Sequence, residues 1–184
     1  MRERAGRAED PSLVVPDPQS LHAAVNIPAS TTGRDAAKKV PGRKRGIAVD
    51  VIGLVIAVVV LAASVHDNQS GTELLTRVAA RTAAVSKALV DQGFKNTVVE
   101  HGAVLGIDDE IVERNPREVG FAPQPIRWRE QTLGTLMLQR RLVRDYEANP
   151  RSSESRVYWA ITAVMARRPA QRPRPGVGHS GMRR

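Results

Sequence analysis

Three carboxylates are placed where they could act together: Asp17 in SLVVPDPQS, Asp91 in SKALVDQGF and Glu130 in RWREQTLGTLMLQRR. The first two end short aliphatic runs and the third opens a stretch of helical character. Strand ends brought to one edge of a sheet gather negative charge that can hold divalent cations beside a phosphate, as metal-assisted phosphodiester chemistry requires. Neighbouring aspartates repel unless a cation lies between them, and hard oxygen donors select Mg²⁺ or Mn²⁺ over zinc. Each of the three also reads, taken alone, as a turn or cap residue, and 19 acidic residues offer many such triples.

The elements that would position them are set by local pattern. Gly46 to Asp50 reads as a strand, Asp50 to Gly53 as a turn, and Leu54 to Ser64 as the antiparallel partner, Val-rich and buried on both faces. The apolar run Val51 to Val65 is shorter than the roughly 18 to 20 residues of a membrane-spanning helix, and its β-branched content favours strands. Leu74, Leu75, Val78 and Ala79 recur at helical spacing, predicting an amphipathic helix over Thr72 to Val85. Lys87 to Asp91 is a short strand, Asn96 to Leu105 a helix closed by Gly106, and Glu110 to Val112 a brief strand. Phe121 to Pro125 is a rigid non-helical connector. A long helix is expected from Glu130 to about Ala148, and a last one from Ser152 or Ser153 to Arg168. This order implies an α/β layered domain with a mixed sheet. Asp17 would close the first strand and Asp91 a later one, and if those strands are parallel neighbours the two stand together at one sheet edge.

Composition limits the function classes. With 184 residues and 41% apolar content the chain has room for one cored domain. Cysteine is absent, which excludes disulfides and thiolate metal sites, and His22, His66, His101 and His179 lack the close spacing of a zinc motif. Net charge is +9 and uneven: Lys38, Lys39, Arg43, Lys44 and Arg45 crowd what reads as one loop, and Arg167, Arg168, Arg172, Arg174, Arg183 and Arg184 load the C-terminus. Either cluster suits a polyanion, nucleic acid or an anionic membrane surface, or is simply a solvated basic face. Residues 1–11 and the Pro, Gly and Arg-rich residues 169–184 are expected to be disordered, around a domain at 12–168.

Three motif blocks in series resemble the DDE-type transposases of bacterial insertion sequences, groups four and five. They are DPQSLHAAVNIPASTTGRDAAKKVPGRKRGIAVDVIGLVIAVVVLAASVHDN, then KALVDQGFKNTVVEHGAVLGIDDEIVERNP, then RWREQTLGTLMLQRRLVRDYEANPRSSESRVYWA. The resemblance implies a ribonuclease-H-like fold, a mixed sheet with a central Val-rich hairpin flanked by helices. It also implies DNA strand cleavage and transfer with Asp17, Asp91 and Glu130 as catalytic triad and ligands of Mg²⁺ or Mn²⁺. DNA would be the partner, contacted by Lys38, Lys39, Arg43, Lys44, Arg45, Arg141 and Arg144. No membrane partner, a homo-oligomer in a transposition complex, and a bacterial cytoplasmic, nucleoid-associated location are implied with it. On a continuous helix Arg141 and Arg144 would return to within about 40° of Glu130. Trp128 reads as a base-stacking residue or, beside a helix start, as a packing anchor.

The chain departs from the resembled pattern in four places. Little precedes Ser12 where such proteins carry a helical DNA-binding region, so an N-terminally truncated copy is expected. Pro16 stands before Asp17 in what should be an interior strand. Trp128 and Glu130 are one residue closer than usual, which on a helix rotates Glu130 and its successors by ~100°. Gln92 and Thr135 replace a usual glycine and tryptophan. Three function classes result: a transposase catalytic domain, impaired or active; a non-catalytic nucleic-acid-binding remnant of the same fold; and a membrane-associated basic protein.

Overall fold

Alternation along the strands decides the architecture. Val14, Ala48, Ala57, Val59, Ala88 and Val90 pack into one core, while their neighbours Val15, Ile47, Val49, Val58 and Val60 pack into a second. Successive strand side chains point to opposite faces, so a sheet apolar on both faces must be covered on both. The computed structural model describes residues 2–91, 93–94, 96–112 and 127–167. Four strands come first: β1 (Leu13–His22), β2 (Gly33–Arg34), β3 (Pro41–Val49) and β4 (Val55–Ala62). After them come α1 (Asp67–Arg81), β5 (Lys87–Asp91), α2 (Asn96–Val104), β6 (Asp108–Val112), α3 (Arg127–Met137) and α4 (Pro150–Arg167).

The sheet runs β2, β3, β1, β5, β6, with β4 also on the outer side of β3. β4, β3 and β1 are antiparallel to their neighbours, and β1, β5 and β6 are parallel. This mixed sheet flanked by helices is the ribonuclease-H-like arrangement. The Val-rich segment is a hairpin of strands, with β1 in mid-sheet and β4 on the outer edge; α1 and α4 cover β4 from opposite faces, which is why an edge strand can be so apolar. Among the described residues no helix is long and apolar enough to cross a membrane.

Local chemistry sets the connections. At the hairpin turn the buried Asp50 carboxylate accepts the Ile52 and Leu54 amides at 2.9 and 2.8 Å, and Gly53 adopts φ 77°. Arg2 pairs with the same carboxylate and donates to Ala8 O at 2.8 Å, and Glu3–Ala5 form a short 3-10 turn. Residues 2–11 are therefore tied to the domain where disorder was expected. The cause is a buried carboxylate that recruits a cation from the N-terminal segment.

α1 begins five residues before the expected Thr72. The ring nitrogen of His66 accepts the Asn68 amide at 3.2 Å as N-cap, and Gly71 lies within the helix where the Phe94 ring leaves no room for a Cβ. β5 and α2 fall where expected within a residue, and Gly106 at φ 74° closes α2.

The expected long helix from Glu130 to Ala148 does not form. α3 ends at Met137, and the chain turns through 138–149 before α4 begins at Pro150. The carbonyls of Leu142, Glu147 and Ala148, which a continuing helix would bond internally, accept hydrogen bonds from Arg45 and Arg43 instead. Ala23 bridges to Asp145 in parallel, so the end of β1 also holds this segment. The connector at 121–125 and the tail at 169–184 lie outside the described residues.

Candidate active site

β1 does not end at Asp17, because its antiparallel ladder with β3 carries it on to His22 opposite Gly42. What ends earlier is the parallel ladder with β5, which joins Leu13 to Lys87 and Val14 to Ala88. The prolines explain the difference. Ser12 O accepts the Ser86 and Lys87 amides, so even-numbered residues of β1 direct their backbone groups toward β5. Pro16 and Pro18 consequently lack N–H groups on the β5 side and leave the β3 ladder intact. Pro16 thus stands in an interior strand without costing it its longer ladder.

Extending the register of the β1 to β5 ladder past its last pair would bring Asp17 level with Asp91. The 74-residue offset that pairs Leu13 with Lys87 also relates Asp17 to Asp91, which is the last residue of β5. Alternation puts both on one face: Asp17 shares the side of Val15 and is paired across the sheet with Ile47, and Asp91 shares the side of Leu89. Asp17 is half-buried and Asp91 is exposed. α3 covers this same face, since Leu136 is buried in the core that contains Val15 and Ile47 and Thr132 Oγ1 donates to Gly53 O at 3.0 Å. Glu130 lies on α3, one turn before Leu133 and Gly134; its side chain lies outside the described residues. The same holds for the side chain of Trp128.

The basic cluster divides in two. Lys38 and Lys39 are exposed on a turn held by Asp35, whose carboxylate accepts the amides of Ala37 and Lys38 at 3.0 and 2.9 Å. Burial pushes the Asp35 pKa up, but these amides, the Ser20 hydroxyl and the nearby Lys44 ammonium outweigh it and hold the group below its ordinary value. Arg43, Lys44 and Arg45 are in β3, not a loop, and are only 1%, 4% and 1% exposed.

Each of these three cations is used inside the protein. Arg43 bonds Asp145 Oδ2 at 3.2 Å, Glu147 O at 2.7 Å, Ala148 O at 2.9 Å, and the backbone and hydroxyl oxygens of Thr31 at 3.2 and 2.7 Å. Lys44 bonds Val65 O at 2.6 Å and pairs with Asp67. Arg45 donates to Leu142 O at 3.2 Å, and burial lowers its pKa to about 10 against the opposing pull of Asp145. With their charge enclosed, these residues cannot present it to a phosphate in this fold. Sequence alone does not separate them from phosphate-binding residues, because consecutive cations look alike in a surface loop and in a buried strand.

Arg141 and Arg144 are exposed but lie in the segment after α3, so the helical angle relating them to Glu130 does not apply. Sequence reasoning also passed over several buried acids. Asp145 partners Arg43 and Ser153, while Glu154 accepts the Val60 amide and Arg77 at 3.1 and 2.7 Å, tying α4 to β4 and α1. Their arginine partners lie 102 and 77 residues away and leave no local signal. Asp109, buried beneath α2 against Gly102, has neither oxygen hydrogen-bonded, and burial, with Asp108 beside it, pushes its pKa up to about 7.

Among the described residues no cluster of three or more His, Asp or Glu side chains forms a metal cage. The donors on this face of β1 and β5 are carboxylates, the hard oxygen type that suits Mg²⁺ or Mn²⁺. An antiparallel trio joined to a parallel trio, flanked by helices, defines a ribonuclease-H-like domain. The transposase DDE domain family matches residues 9–146, three quarters of the chain, and the chain belongs to that family. Transposases of this family act on DNA and generally use a divalent metal. No curated protein matches the sequence.

Proposed function

We propose that this chain is the catalytic domain of an insertion-sequence transposase, in which Asp17, Asp91 and Glu130 hold Mg²⁺ or Mn²⁺ for DNA strand cleavage and transfer. What supports the reading is the placement of Asp17 and Asp91 on one face of the neighbouring parallel strands β1 and β5, the face covered by the helix that bears Glu130. A divalent pair bound there supplies stabilisation of the attacking and leaving oxygens of an in-line phosphoryl displacement. Asp17 is set on a strand bonded to β3 from Val15 to His22, so its backbone is fixed; Asp91, the last residue of β5, supplies the more exposed carboxylate. Lys38, Lys39, Arg141 and Arg144 draw phosphates toward the domain without reading sequence.

A second reading, a DNA-binding remnant without catalysis, is favoured by the shortened Trp128 to Glu130 spacing. Cleavage of pre-formed DNA ends in Mg²⁺ or Mn²⁺ separates the two. Cleavage abolished in each of Asp17→Asn, Asp91→Asn and Glu130→Gln, with DNA binding retained, supports the catalytic reading. Metal-independent nicking, or nicking that survives Asp91→Asn, overturns it. The insertion-sequence group, a homo-oligomeric complex and a nucleoid location belong to the same proposal.

A further inference from the structure

α4 keeps one face for the core and another for something else. Val157 and Ile161 are buried against β4, whereas the nine exposed positions of the helix fill an arc of about 160° centred on Trp159. Trp159 is 74% exposed, an unusual state for the largest apolar side chain. Small residues such as Ser152 and Thr162 surround it, and Arg151, Arg156 and Arg167 mark the margins of the arc. The only acid of α4 is Glu154, which is buried and paired with Arg77. Arg156 shares its charge with Glu147 of the preceding turn, at 2.9 Å.

We propose that this outer face of α4 is a docking surface for duplex DNA, with the three arginines on phosphates and Trp159 laid against the sugar and base edge between them. The inference rests on the DNA substrate of the proposed function but not on its catalytic triad. Charge complementarity selects the occupant: the arc presents three guanidinium groups, of which Arg156 is shared with Glu147 of the preceding turn, and no carboxylate of its own. From Arg151 to Arg167 the helix rises ~24 Å, the length of about seven base-pair steps, so the arginines can meet separated phosphates of one duplex. The small residues let a broad ligand approach the helix closely. A second copy fits less well, because two-fold antiparallel pairing of this face would set Arg151 against Arg167 at both ends.

The test measures affinity for a short labelled duplex of arbitrary sequence across a salt series, using the full chain. Arg151→Gln/Arg156→Gln/Arg167→Gln should bind at least about tenfold more weakly and flatten the slope of log K against log salt by about 2.7, the value for three lost phosphate contacts. Trp159→Ala should weaken binding by about fivefold or more. In a Trp128→Phe background, DNA should quench the emission of Trp159, and equally so with Asp91→Asn. All four altered positions of α4 are exposed, so thermal unfolding should match the parent.

Parent-like affinity and slope in the triple variant overturn the proposal. So does a parent that is dimeric by light scattering, becomes monomeric on Trp159→Ala and binds DNA unchanged. Absence of metal-dependent cleavage with these binding effects intact would count against the triad alone.

Discussion

Arg43 should be the most costly single cation to remove from the domain. It is enclosed, and its guanidinium bonds five oxygens that belong to Thr31, Asp145, Glu147 and Ala148. Arg43→Met keeps much of the aliphatic volume but strands Asp145, which is 3% exposed and retains only Ser153 Oγ and the Glu147 amide among these partners. Breaking a buried pair by removing one member costs about 3 to 5 kcal/mol. A loss of about 4 kcal/mol, the middle of that range, is expected from urea unfolding monitored by circular dichroism, with m unchanged.

Arg43→Lys should recover part of that loss, because an ammonium can satisfy Asp145 but not the separated carbonyls of residues 147 and 148 at once. In the double-mutant cycle with Asp145→Asn the two losses should be non-additive by at least about 1 kcal/mol. A loss below about 1 kcal/mol for Arg43→Met, or simple additivity, would refute the account of this arginine as the clamp on residues 142–148.

Lys39 has φ 57°, so Lys39→Gly should be more stable than Lys39→Ala by about 1 kcal/mol in urea midpoints, and equal midpoints would count against a left-handed residue there. For Asp109 the folded pKa of about 7 lies above its ordinary 3.8, so the folded state binds the extra proton and stability falls as pH rises between those values. Asp109→Asn should abolish that slope and gain on the parent by roughly 2 kcal/mol at pH 8, taking about half of the full linkage value; parallel pH profiles would contradict it. Inserting one valine between Arg129 and Glu130 should raise Mg²⁺-dependent cleavage above the parent. No gain would mean that the spacing is not what limits the chain.

The legible parts of the fold were those written in short-range pattern. β5 at Lys87–Asp91, the turn at Asp50 with Gly53, and the strand identity of the Val-rich segment are all set by residues within one window. α3 was misjudged for the opposite reason. The stretch after Met137 has helical composition, yet its carbonyls are captured by two arginines about a hundred positions earlier.

The site divides in the same way. Asp17, Asp91 and Glu130 are proposed from residue type and from the ordered motifs of the sequence. That Asp17 and Asp91 lie on neighbouring parallel strands with a common face was decided by the pairing of β1 with β5, a contact across 74 residues that no local pattern encodes. The basic residues were sorted only by the tertiary structure. Lys38 and Lys39 reach solvent, while Arg43, Lys44 and Arg45 are drawn into the protein by Asp145, Asp67 and backbone carbonyls. Charge is a property of the residue, but whether it meets a phosphate or a buried carboxylate depends on what the rest of the chain brings beside it.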